Sequence, residues 1–141
     1  MKTAIITGAS SGLGAEFVKA VIEKRKDIEK IIVIARREDR LNKLRDDLGG
    51  KIYPLPLDLT VDTCGDILKS TLEGMDAQVL LLINNAGFGK LENFENISTS
   101  DNALMVRLNC EALTRITGVC LPFIKDGGEI INTCSIASFA P

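Results

Sequence analysis

The sequence predicts a doubly wound α/β fold in one domain, a parallel sheet with helices on both faces, and three observations predict it. Ile31-Ile32-Val33-Ile34-Ala35 and Val79-Leu80-Leu81-Leu82-Ile83 are continuous apolar runs of strand length, the pattern of strands buried on both faces. Amphipathic, charged stretches of helix length separate such runs, so strand and helix alternate along the chain. That alternation implies right-handed crossovers between parallel strands. The third observation is Thr7-Gly8-Ala9-Ser10-Ser11-Gly12-Leu13-Gly14, placed between the first apolar run and the first helix. A glycine turn there lets backbone approach an anion closely, and the unpaired N–H groups at the helix start point toward it.

The elements follow in order. The first strand is Ala4-Ile5-Ile6, and the helix behind the glycine turn carries Leu13, Phe17, Val21 and Ile22 near helical spacing. After the second strand, Ile31 to Ala35, a helix from Glu38 to about Asp47 sets Leu41, Leu44 and Leu48 on one face and stops at Gly49-Gly50. Ile52 to Leu57 reads as a short strand. Its Pro54 and Pro56 assign it to a sheet edge, where missing N–H donors do least harm. A helix follows Asp58-Leu59-Thr60 and ends near Gly74, and the strand Val79 to Ile83 runs into Asn84-Asn85-Ala86-Gly87-Phe88-Gly89. Ser98-Thr99-Ser100-Asp101 supplies N-cap residues for a long helix bearing Leu104, Met105, Leu108, Ala112, Ile116, Val119 and Cys120. That helix ends by Pro122, and Gly127-Gly128 is expected to turn the chain into a fifth strand, Glu129 to Thr133.

Composition narrows the function. The 141 residues are 45% hydrophobic and 26% charged with net charge −2, enough for one globular domain with a real core. No lysine/arginine stripe suits nucleic acid; Lys24-Arg25-Lys26, beside Asp27 and Glu29, reads as a solvated helix end. No apolar run reaches membrane-spanning length, and Met1-Lys2-Thr3 leads directly into a strand. Cys64, Cys110, Cys120 and Cys134 lack C-x-x-C spacing and the chain has no histidine, which argues against a metal site and against Cys–His catalysis. Reduced, half-buried thiols in a cytoplasmic protein are expected.

The glycine turn has rivals. A Walker-type loop needs a lysine closing the turn, and none is present. Gly8-Ala9-Ser10-Ser11-Gly12 also spells the G-x-S-x-G nucleophile elbow. A hydrolase using Ser10 would need a histidine to take its proton, and an earlier strand to supply the oxyanion loop. The chain has neither. Ligands of doubly wound sheets bind at the carboxyl ends of strands near the switch in strand order, and each of these motifs lies just after a strand.

Taken together, T-G-x-x-x-G-x-G over residues 7–14, an arginine after the second strand, Asp58, Asn84-Asn85-Ala86-Gly87, Asn109 and Ser135 make the chain resemble the short-chain dehydrogenase/reductase family. The match runs along the entire length in the family's order. The resemblance implies a Rossmann-type NAD(P)-binding sheet in which Gly8, Ser10, Ser11, Gly12, Leu13 and Gly14 wrap the cofactor pyrophosphate and adjoining ribose. It implies that Asp58 and Leu59 lie beside the adenine, that Asn85, Ala86 and Gly87 pass close to the cofactor, and that Asn84 ties strands together. Asn109 resembles the asparagine that holds a proton-relay water, and Ser135 the serine that hydrogen-bonds the substrate carbonyl or alcohol oxygen. Outside that frame, the alternative for Asn109 is a hydrogen bond to neighbouring backbone, and for Ser135 a turn serine. Cys134 reads as structural, since no base is at hand.

Cofactor choice follows from charge. A carboxylate at the end of the second strand would bind the ribose 2′-hydroxyl and repel a 2′-phosphate. Here the chain reads Ala35-Arg36-Arg37, so NADP(H) is expected over NAD(H). The alternative is that both arginines merely open a solvated helix.

The family's Y-x-x-x-K pair, in which lysine and cofactor lower the tyrosine pKa for proton transfer, has no counterpart after Ser135, and the one tyrosine is Tyr53 on the third strand. The 141 residues are therefore expected to be the cofactor-binding N-terminal portion of such an oxidoreductase, truncated after the fifth strand and inactive alone; the alternative is a non-catalytic dinucleotide-binding fragment. The substrate class implied is a small carbonyl or alcohol. An open fifth strand and an uncovered long helix are expected to drive homo-oligomer formation.

Overall fold

The computed structural model describes residues 1–136. Five parallel strands, β1 (Lys2–Thr7), β2 (Lys30–Ala35), β3 (Ile52–Pro56), β4 (Gln78–Asn84) and β5 (Ile124–Asn132), pair in the order β3-β2-β1-β4-β5. Helices α1 (Gly12–Lys24) and α2 (Glu38–Leu48) cover one face, and α3 (Cys64–Gly74) with the long helix over residues 99–120 covers the other. This is the doubly wound Rossmann-type arrangement, with its switch in strand order between β1 and β4.

Strand side chains alternate between two cores. Ile5, Ile32, Ile34 and Leu82 face Leu68, Leu72, Ile116 and Cys120, whereas Ala4, Ile6, Ile31, Val33 and Ile83 face Val18, Val21, Ile28 and Leu41. Burial on both faces is why the central strands are apolar without alternation. β3 is an edge strand, as its prolines predict. Leu57 N–H donates to Ala35 C=O at 2.9 Å, so N–H groups of that parity face β2 and the positions of Pro54 and Pro56 face outward.

Three local expectations change. Gly127-Gly128 does not precede the fifth strand but lies within β5. Val79 pairs with Ile124 and Leu81 with Glu129, so the chain bulges there, and Gly127 at φ 82° supplies the left-handed residue. The buried face of α1 is Gly14, Val18 and Val21, and Leu13 is instead exposed at the strand ends. The long helix is not uniformly α-helical: α4 (Thr99–Val106) and α5 (Leu113–Cys120) are joined by a π-helical stretch, Arg107–Ala112, that carries Asn109. Ser98 caps it, its Oγ accepting from Asp101 N–H at 3.1 Å. The thiols also divide: Cys64 and Cys120 are buried and Cys110 and Cys134 exposed, all four free.

Candidate functional site

The carboxyl ends of β1 to β4 surround a cavity of about 480 Å³. β1 contributes Gly8, Ser10, Ser11 and Leu13; β2 contributes Arg36 and Arg37; β3 leads into Asp58 and Leu59; β4 leads into Asn85, Ala86 and Gly87. Four stretches far apart in sequence thus meet at one place. Gly12 and Gly14 of the same turn do not line the cavity, and neither does Ser135, which is exposed beyond the end of β5.

Close packing explains the glycines. Gly8 has φ 67°, and a Cβ on it would stand 2.8 Å from Ala86 Cα, so the glycine turn and the loop after β4 touch backbone to backbone. A Cβ on Gly14 would run into the Gly8 carbonyl, which sets α1 against the turn. Thr7, buried at the end of β1, fastens the same two segments. Its Oγ1 accepts from Asn85 N–H and Ala86 N–H, both at 3.0 Å, and Asn85 Nδ2 donates back to Thr7 C=O at 3.3 Å. The sequence marks Thr7 only as the first residue of the glycine motif; its tie to the loop after β4 was not singled out, and the signal for it was a polar residue ending an otherwise apolar strand.

Charge is concentrated on one side. Arg37 Nη2 donates to Ser11 Oγ at 3.2 Å and to Ser10 Oγ at 3.4 Å, so its guanidinium lies across the turn. Asp58 Oδ1 accepts from Thr60 Oγ1 at 2.7 Å and Thr60 N–H at 2.9 Å. Those bonds, with the positive charge of Arg36 nearby, hold the Asp58 carboxyl below the usual aspartate range. Oδ2 accepts no hydrogen bond among the described residues. Thr60, which also lines the cavity, was a second residue not singled out from sequence.

Asn109 does not line the cavity either, and instead holds the loop at its other end. Its Oδ1 accepts from Phe88 N–H at 3.0 Å and its Nδ2 donates to Phe88 C=O at 2.8 Å, so one side chain clasps both backbone groups of the loop after β4. A Cβ on Gly87 would be 3.1 Å from Asn109 Oδ1. The hydrogen bond to neighbouring backbone is thus present in doubled form. Phe88, Leu104 and Leu108 make the apolar wall at this end.

Residues 2–141 match the family model described as short chain dehydrogenase. A "Probable NADP-dependent dehydrogenase" of Haemophilus influenzae is 36% identical over 143 aligned residues, covering 99% of this chain and 55% of that protein. The "NADP-dependent 3-hydroxy acid dehydrogenase YdfG" of Escherichia coli K12 is 29% identical, covering 97% of this chain and 55% of its own length. Among solved structures, a short-chain dehydrogenase from Sphingobium yanoikuyae in complex with NADPH superposes with a TM-score of 0.83 at 33% identity, covering 100% of this chain and 56% of that one. The chain therefore spans about half the length of the curated relatives it matches.

Proposed function

The chain belongs to the short-chain dehydrogenase family, and from that membership we propose that the protein is an NADP(H)-dependent oxidoreductase moving hydride to or from the carbon of a small carbonyl compound or secondary alcohol. The observation that carries the cofactor choice is the end of β2, where Arg36 and Arg37 line the cavity in place of a carboxylate and Arg37 reaches Ser10 and Ser11. Guanidinium groups pair with phosphate through charge-assisted hydrogen bonds, whereas a carboxylate would repel it.

The residues fit a dinucleotide. Gly8, Ser10, Ser11 and Leu13 line the cavity beside Arg36 and Arg37, so the turn and two cations face the space a pyrophosphate would take. In this reading Gly8, Ser10, Ser11, Gly12, Leu13 and Gly14 hold pyrophosphate and ribose. The free Asp58 oxygen accepts from the adenine amine beside Leu59, and Asn85, Ala86 and Gly87 border the cofactor. Bound NADP(H) supplies or accepts the hydride. Asn109 holds the loop at Phe88 and, by family resemblance, a proton-relay water; Ser135 hydrogen-bonds the substrate oxygen.

These 141 residues by themselves favour binding without turnover. Their one tyrosine, Tyr53, lies on edge strand β3 and does not line the cavity. Self-association through the long helix or the β5 edge belongs to the same proposal, supported by the exposure of Val106, Leu121, Ile130 and Ile131. So does a cytoplasmic setting, in keeping with four free thiols. No helix among the described residues is long and apolar enough to cross a membrane.

Arg36→Asp tests the cofactor choice. The preference for NADPH over NADH is expected to disappear or reverse. Equal binding of both cofactors by the unmodified protein would overturn the choice.

A further inference from the structure

We propose that a single buried water molecule sits between Thr7, Asn84 and the long helix, completing the hydrogen bonding of the first asparagine in Asn84-Asn85-Ala86-Gly87. Asn84 ends β4 and is 4% exposed. Its carbonyl accepts from Thr133 N–H and Thr133 Oγ1, and its Nδ2 donates to Asn132 Oδ1 at 2.9 Å and Thr117 Oγ1 at 3.0 Å. Both amide protons are used. Among the described residues, Asn84 Oδ1 is the buried side-chain oxygen left with no hydrogen-bond partner. Buried acceptors are very seldom left so, because the lost hydration is not regained.

A small cavity beside it offers the remedy. Its volume is about 10 Å³, room for the centre of one water. Asn84 and Thr7 are its polar wall, and Leu59, Leu108, Ala112 and Ile116 form the apolar one. The Thr7 Oγ1 lone pairs are occupied by Asn85 N–H and Ala86 N–H, so its hydroxyl proton is still to be donated. A water in the cavity accepts that proton and donates one of its own to Asn84 Oδ1. The assignment does not depend on the amide orientation. With Asn84 turned over, Nδ2 faces the cavity and the same water accepts from it. An apolar cavity of this size would stay dry, but this one is lined in part by Asn84, whose amide oxygen is unpaired, and by Thr7, whose hydroxyl proton is still to be donated. The water would link the end of β1 to the end of β4 beneath the loop that borders the larger cavity. None of this requires the cofactor assignment.

A high-resolution crystal structure of the unmodified protein tests the proposal, paired with water-to-amide NOE measurements in solution. We expect an isolated water peak within hydrogen-bond distance of both the Asn84 amide and the Thr7 hydroxyl. We also expect a cross-peak from a long-lived water to the Asn84 side-chain amide. An empty cavity, or Thr7 Oγ1 bonded directly to Asn84 Oδ1, would overturn it.

Discussion

Arg37 opens α2, yet it reaches back over the glycine turn to two serines, and the contact makes the turn and β2 one binding surface. Replacing Arg37 by alanine removes charge-assisted bonds worth about 1.5–3 kcal/mol, so NADPH affinity is expected to fall roughly tenfold to a hundredfold while NADH affinity changes little. Parallel titrations with the two cofactors check this. Gly8→Ala places a Cβ against Ala86 at φ 67°. The strain alone costs about 1–3 kcal/mol, and a lowered melting temperature together with weaker cofactor binding is expected. Asp58 gives a pH dependence with a definite sign. Its folded-state pKa is lowered, chiefly by Thr60, so its contribution to stability is complete above the unfolded-state value and vanishes as pH falls through the folded-state value. Acid unfolding of Asp58→Asn should therefore show a shallower loss of stability in that range than the unmodified protein. Arg36, Arg37, Asp58, Gly8 and Gly87 were legible in the sequence because each follows a strand, where topology alone brings them together. Thr60 was not, and Thr7 was legible only as the first residue of the glycine motif; the role of each emerges only when its partners are in place.

At the scale of elements, the long helix shows why periodicity both succeeds and fails. Leu104, Leu108, Ala112, Ile116 and Cys120 recur every fourth residue. In a regular α-helix each such step drifts by about 40°, yet Ala112, Ile116 and Cys120 are buried and Leu104 and Leu108 line the cavity. The π-helical stretch Arg107–Ala112 turns more slowly per residue and keeps the row on one side. A strict period of four was the available signal. The same stretch carries Asn109 to the Phe88 backbone, and Asn109→Ala is expected to cost about 1–2 kcal/mol for two partly exposed hydrogen bonds. Hydrogen exchange checks it directly: the Phe88 amide should lose protection while amides in β1 do not. Paired glycines punctuate chains, so Gly127-Gly128 predicts a turn. In β5 they form a bulge instead, a choice made by pairing with β4 and invisible in local sequence. Cys64 and Cys120 pack in the core under α3 and the long helix, and burial pushes the Cys120 thiol up to about 12. Both should resist alkylation in the native state and react only on unfolding, as mass spectrometry of labelled peptides would report.

For the molecule as a whole, the sheet order β3-β2-β1-β4-β5 sets the site at the switch point; the alternation of strands with helices made a doubly wound parallel sheet with β3 at its edge legible, whereas the full strand order comes from the pairing. β5 pairs with β4 alone among the described strands and is exposed along most of its length. Self-association through that edge or the long helix predicts a sedimentation coefficient that rises with concentration; a monomer at all concentrations with a cooperative melt would count against it. In the proposed function the strand ends form a site that reads the 2′-phosphate of NADP(H). Titrating the purified protein with NADPH, with NADH alongside, and following cofactor fluorescence tests it most directly. Saturable binding that favours NADPH is the predicted result. Binding of neither cofactor, or equal binding of both, would contradict it.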